Sequence, residues 1–274
     1  MTIQLKQFKP GNGAIYYFSG TGNTAFVAGE FQENYKKANV SVDLFKIEDI
    51  DVVSSQSKYD FLMIGFPVYA SYPPDLVVDF VKKLPEVKDK PVILFATAGL
   101  TTGISFNVLE KILKKKKYNV ISNFAYIMPD NVYFVFRKDT DKDEQIELSI
   151  SNTIEKIKQD FKVLISGKSK FKKANFFWSL FAPISKFFFF KIMQPQKNRF
   201  VWNRDACNYC GLCQKICPTK NITIKKEKSK LTFKNNCVFC TRCYNFCPQK
   251  AIHNKSINRT EKYRRYTRLK KEII

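Results

Sequence analysis

Residues 207–218 read CNYCGLCQKICP, and residues 237–248 read CVFCTRCYNFCP. These two runs hold all eight cysteines of the 274-residue chain. Clustered thiols serve three chemistries: disulfides, zinc or iron–sulfur clusters. The opening residues, MTIQLKQFKPGNG, lack the apolar central region and small-residue cleavage site of a secretory signal. The expected location is therefore cytoplasmic, where thiols stay reduced and disulfides are rare. Zinc takes four ligands from two separated pairs and has no use for a third cysteine three residues on. The spacing C-x-x-C-x-x-C-x-x-x-C-P suits a pair of [4Fe–4S] clusters. Three cysteines of one run wrap one cubane, and the fourth reaches the cubane of the other run.

The repeats align at an offset of thirty, which matches Cys207, Cys210, Cys213, Cys217 and Pro218 with Cys237, Cys240, Cys243, Cys247 and Pro248. Lys220 then pairs with Lys250 and Ile222 with Ile252. Two supersecondary units of one kind, related by a local pseudo-two-fold, are expected. One cluster is assigned to Cys207, Cys210, Cys213 and Cys247, the other to Cys237, Cys240, Cys243 and Cys217. His253, the only histidine, is read as a surface or packing residue rather than a proton donor.

A second chemistry is written near the amino terminus. SGTGNT (19–24) follows a short apolar run, AIYYFS (14–19), and precedes a helical stretch. A strand, a Gly/Ser/Thr turn and a helix start make an anion site from backbone N–H groups and hydroxyls. No Walker pattern is present. Gly20 to Ala25 also fit G-x-G-x-x-A, with Asp43 downstream, so a dinucleotide stays open at this point. The hydroxyls of Ser19, Thr21 and Thr24 favour the terminal phosphate of a mononucleotide, FMN. Two further turns have the composition of ligand loops. GFPVYASYPP (65–74) offers Pro67, Val68, Tyr69 and Ala70, with Tyr69 as an aromatic face for an isoalloxazine. TAGLTTG (97–103) offers backbone donors at Thr97, Ala98 and Gly99. With Ser19, Gly20, Thr21, Gly22, Asn23 and Thr24, these are the expected cofactor-binding residues. No catalytic acid or base is assigned.

These loops need a scaffold that gathers them at one edge. The chain alternates strand-like runs (14–19, 40–45, 59–66, 91–99, 119–128) with helical stretches at 23–37, 75–84, 105–117 and 141–165. Pro73 and Pro74 stand where the second helix starts. Such alternation predicts an α/β fold with a five-stranded, doubly wound parallel sheet, whose ligand loops meet at the carboxyl edge.

Residues 14–165 thus resemble a flavodoxin, and the cysteine region resembles the two-cluster ferredoxins. FSGTGNT, FPVYASYPP and MPDN (128–131), followed by the duplicated cysteine run, resemble the flavodoxin–ferredoxin fusion proteins of anaerobic microbes. That resemblance implies a flavodoxin-like domain, a small α+β ferredoxin domain, FMN, two [4Fe–4S] clusters and electron transfer between them. Two other functions stay open: a flavin-dependent reductase of a quinone or nitro compound, and a non-enzymatic redox sensor.

The expected organisation is a flavodoxin-like domain (1–166), an aromatic and basic helical connector (167–200), a ferredoxin domain (201–254) and a basic tail (255–274). Pro183, Ser185 and Lys186 interrupt the connector before it could span a membrane. Its aromatics fit burial between the domains; peripheral contact of 170–193 with an anionic membrane is the competing expectation. The formal charge of +23 calls for an anionic partner or a solvated lysine surface. Each oxidised cluster with its thiolates and the FMN phosphate would contribute about −2 apiece, which leaves the holoprotein basic. Acidic ferredoxins are the expected redox partners. Nucleic acid is disfavoured, because no helix-turn-helix, zinc-finger or RNA-recognition pattern is present.

Overall fold

The computed structural model describes residues 10–50, 56–129, 143–168, 171–172, 187, 191, 194–255 and 271. Most of the connector, the basic tail, and Asp130 and Asn131 of MPDN lie outside them.

Five parallel strands form one sheet in the order β2-β1-β3-β4-β5. They are β1 (Gly13–Tyr17), β2 (Val42–Lys46), β3 (Phe61–Pro67), β4 (Lys90–Ala98) and β5 (Tyr118–Ile127). This is the flavodoxin-like order, with its switch point between β1 and β3. Helices α1 (Asn23–Lys37) and α4 (Asp143–Ile165) pack on one face, with α2 (Asp75–Lys83) and α3 (Ser105–Lys115) on the other. Alternate side chains feed the two cores. Ile15, Phe61, Met63, Ile93 and Phe95 pack with α1 and α4; Ala14, Tyr16, Leu62, Ile64, Val92 and Leu94 pack with α2 and α3. Both faces are covered, which is why β3 and β4 read as continuous apolar runs. The second helix begins at Asp75, one residue after the two prolines, with Pro74 as its cap.

Part of the lysine excess has a local cause. Helices α1, α2 and α3 each end in two lysines: Lys36 and Lys37, Lys82 and Lys83, Lys114 and Lys115. Cations there face the negative end of the helix dipole. Among the described residues, no helix is long and apolar enough to cross a membrane.

The cysteine region is small and α+β. Strand β6 (Phe200–Trp202) pairs antiparallel with β9 (Ile252–Asn254), and β7 (Ile222–Lys225) with β8 (Lys230–Phe233). Each cysteine run carries one short helix, α5 (Leu212–Lys215) and α6 (Arg242–Phe246). The duplication extends to the backbone. Tyr209 and Phe239, Gly211 and Thr241, and Lys220 and Lys250 all have left-handed φ, at the same offset. The amide of Asn221 donates to Cys217 Sγ at 3.2 Å, and that of Ala251 to Cys247 Sγ at 3.3 Å.

This region does not keep its core to itself. Ile216 and Phe246 belong to the apolar mass under α1 and α4, and Cys240 to the one on the opposite face. Of the connector, residue 172 is tied to β5: Asn123 Nδ2 donates to the Lys172 carbonyl at 2.7 Å, and the Lys172 amide returns to Asn123 Oδ1 at 2.8 Å. Phe187 is exposed, with the Lys191 ammonium 4.6 Å from its ring centroid.

Candidate functional site

The SGTGNT turn lies between the end of β1 and the start of α1. Ser19 Oγ accepts the Gly22 amide at 3.1 Å, which closes the turn, and Gly22 takes φ +111°. No side chain caps α1 and no acidic residue occupies its first turn, as suits a helix start that would receive an anion. Ser19, Thr21, Asn23 and Thr24 are all buried.

The neighbouring loops are knitted to this turn. Thr24 and Thr97 share a hydroxyl hydrogen bond of 2.8 Å, and the Val68 amide donates to the Thr97 carbonyl at 2.8 Å. Asn23 Nδ2 donates to the Pro129 carbonyl at 2.9 Å, so the described part of MPDN also reaches the turn. The expected residues Ser19, Gly20, Thr21, Asn23, Thr24, Pro67, Val68, Tyr69, Thr97, Ala98 and Gly99 line one cavity, together with Pro129. Gly22 and the exposed Ala70 do not line it. The cavity encloses about 60 Å³, the scale of a phosphate group, and its hydroxyl-rich wall suits one. Asp43 points elsewhere: its carboxylate accepts from Tyr59 and lies 3.5 Å from Lys58 Nζ. It is therefore engaged away from the loop, contrary to the role that a dinucleotide fingerprint would give it.

Tyr69 lines the cavity beside Gly20. A β-carbon on Gly20 would stand 2.9 Å from the Tyr69 hydroxyl and 2.9 Å from the Cys240 carbonyl oxygen. Only glycine admits this approach. Burial raises the Tyr69 pKa well above the ordinary tyrosine value; Cys240 adds to the rise and the Arg242 guanidinium opposes it.

The cysteines act on one another electrostatically. Burial pushes the Cys213 thiol up to about 12, with Cys247, Cys210 and Cys207 adding to the rise. Burial likewise lifts Cys243, followed by Cys240, Cys237 and Cys217, with Cys213 last. Cys240 is also pushed up to about 12 by burial, against the pull of the Arg242 guanidinium. All eight cysteines are free thiols. Among the described residues, no three Cys, His, Asp or Glu side chains converge on a single-ion site. Clustered free thiols with no disulfide and no single-ion site among the described residues fit iron–sulfur ligation, in which the metal itself displaces the thiol proton.

The buried pair that sequence reasoning missed is Arg242, beside the phosphate loop, with its partner Glu48 on the 3₁₀ turn Ile47–Asp49. The Arg242 Nη2 donates to Glu48 Oε1 at 2.5 Å, and both side chains are 6% exposed. One sequence signal existed. At the offset of thirty, Arg242 stands where the first run has Leu212.

A second cleft, of about 550 Å³, opens beside Cys217 between the 3₁₀ turn and the first repeat. Lys46, Lys215, Lys220 and Lys234 are on its walls, with Glu48 and Asp49.

Two family models match the chain: a flavodoxin domain over residues 14–135 and a 4Fe-4S dicluster domain over residues 206–252. The flavodoxin of Megasphaera elsdenii is 33% identical over 121 residues, covering 43% of this chain and 88% of that protein. The solution structure of the two-electron reduced Megasphaera elsdenii flavodoxin aligns at 31% identity and TM-score 0.40, covering 44% of this chain and 90% of that one. Oxidised flavodoxin 1 of Bacillus cereus aligns at 17% identity and TM-score 0.39, over 54% and 97% of the two chains.

Proposed function

The chain belongs to the flavodoxin family, extended by a 4Fe-4S dicluster domain, and we propose that it transfers electrons between FMN and two [4Fe–4S] clusters. The observation that carries this is the seating of the second cysteine run on the phosphate loop, with the Cys240 carbonyl against Gly20. When bound, the flavin would exchange electrons singly or in pairs and each cluster one at a time, so the pair would join one-electron to two-electron chemistry.

The protein's own residues hold and shield. Ser19, Thr21, Thr24 and the start of α1 would bind the FMN phosphate. The 67–70 and 97–99 loops would flank the ring, with Tyr69 as the aromatic that it meets. Cys207, Cys210, Cys213 and Cys247 would hold one cluster, and Cys217, Cys237, Cys240 and Cys243 the other. Cys210 is exposed whereas Cys240 is buried, so the first run is the one open to a redox partner. The lysine-walled cleft beside Cys217 supports an acidic partner, such as an acidic ferredoxin, steered in by charge.

The test is anaerobic purification with iron, sulfide and flavin assay. About eight irons and one flavin per chain are expected, with spectral bleaching of both cofactors by a one-electron donor. A flavin-free or iron-free preparation overturns the proposal. Sustained turnover of a quinone or nitro compound without a protein partner would point instead to a reductase.

A further inference from the structure

We infer that Arg242 is a positioning residue that seats one ligand set, Cys217, Cys237, Cys240 and Cys243, against the flavin loops, so that the two cluster sites are inequivalent. The inference rests on the proposed cofactors and deepens that proposal: this set faces the flavin, and the Cys207, Cys210, Cys213 and Cys247 set faces outward.

Arg242 lies between Cys240 and Cys243 in the chain and is buried. Its guanidinium reaches three separate segments. Nε and Nη2 both donate to the Ser19 carbonyl, at 3.0 and 2.6 Å, and Ser19 opens the phosphate loop. Nη1 donates to the Ile216 carbonyl at 3.0 Å, one residue before Cys217. Nη2 also pairs with Glu48. The guanidinium carbon sits 5.4 Å from the Phe18 ring centroid. A single cation therefore ties the phosphate loop to the three-cysteine run and to the outgoing cysteine of the same proposed set. A lysine ammonium has three donors and no planar fork, so it could not make the four hydrogen bonds that this guanidinium makes.

The duplicated run supplies the internal comparison. Thirty residues earlier, Leu212 takes the place of Arg242 and packs against the core under α1 and α4. Cys210 is exposed where Cys240 is buried. One fold unit, used twice, is docked on the flavin loops only where it carries the arginine. Tyr69 agrees: its hydroxyl and the Cys240 carbonyl oxygen, of the second run, crowd the same point beside Gly20.

The test uses anaerobically purified full-length holoprotein and its Arg242→Gln, Glu48→Gln and Asn208→Asp variants, checked for flavin and iron content. Redox titration, followed by visible absorbance and electron paramagnetic resonance, reads the midpoint potentials of the flavin and of each cluster. Loss of the arginine charge favours the oxidised forms nearby, so Arg242→Gln lowers the flavin and one cluster and leaves the other cluster in place. Glu48→Gln moves the same two centres upward. Opposite shifts at the same pair of centres are what a purely structural role would not produce. Asn208 accepts the Cys210 amide, and Asn208→Asp lowers only the remaining cluster. If Arg242→Gln does not retain its cofactors, the Glu48→Gln and Asn208→Asp pair carries the test alone. The inference is overturned if the Arg242 and Glu48 variants leave the flavin potential unchanged, or if Asn208→Asp moves it as far as they do. Wild-type protein lacking iron or flavin would reject the proposed cofactors themselves, a separate outcome.

Discussion

Gly20 and Cys240 approach so closely that a β-carbon on the glycine would stand 2.9 Å from the cysteine carbonyl oxygen. The backbone of one cofactor loop is thus packed directly against the backbone of the other. Gly20→Ala should push the loops apart at a cost of about 1–3 kcal/mol, in the range of overpacked cores. The Tyr69 hydroxyl, equally near, must shift with them. FMN binding, read by fluorescence titration, should weaken by roughly tenfold, equivalent to about 1.4 kcal/mol. Unchanged flavin affinity would mean that the contact does not shape the phosphate loop.

Gly211 isolates backbone strain from packing. It takes φ +85°, and a β-carbon there would meet nothing within 4 Å. Gly211→Ala should cost about 1–2 kcal/mol through conformation alone, seen as a lower denaturation midpoint with flavin affinity intact. The equivalent Thr241 bears that strain at φ +59° and is held by Asn245, whose Nδ2 donates to its Oγ1 at 3.0 Å.

Glu48 should matter for stability well beyond a surface carboxylate. Glu48→Ala leaves the buried Arg242 charge without its counter-ion. The carbonyls of Ser19 and Ile216 still accept from it, so the loss should fall near the lower end for a broken buried pair, about 3 kcal/mol. Thermal unfolding of the holoprotein measures it. A change within about 0.5 kcal/mol, the usual surface effect, would show that the pair is not needed.

The outgoing cysteines discriminate between crossed and uncrossed ligation. Cys217→Ser should remove about half the iron together with the resonance signal of the set containing Cys240, and keep the flavin. Cys247→Ser should remove the other signal. Loss of the same signal from both variants would refute the crossed arrangement.

Alkaline pH should unfold the sheet. Burial pushes the Tyr118 hydroxyl up to about 12, where it donates to Gln56 Oε1 at 3.1 Å. Because the folded pKa lies above the unfolded value, this contribution is complete below about pH 10 and is lost as pH rises from there towards 12. Tyr118→Phe should flatten the fall over that window, checked by denaturant titration at successive pH values.

The strands and helices were legible because their signals are local. Residues 23–37 read as a helix and form α1 over the same span, and the apolar runs 59–66 and 91–99 became β3 and β4. The 4Fe-4S dicluster domain was legible because one cysteine spacing occurs twice. Arg242 and Glu48 were not. They lie 194 residues apart in the chain, and each reads as an ordinary charged residue. No periodicity marks a pair whose meaning comes only from the approach of two distant loops. The 3₁₀ turn that presents Glu48 is three residues long, too short to leave a pattern.

The sharing of one apolar mass by Ile216, Phe246 and the residues beneath α1 and α4 has a thermodynamic corollary. Neither half can melt without stripping the other of oily cover, so calorimetry should record one endotherm rather than two. A proteolytic nick in the connector would then leave the fragments clinging together, and an excised amino-terminal piece would be a sticky, weakened body instead of a free-standing small flavoprotein.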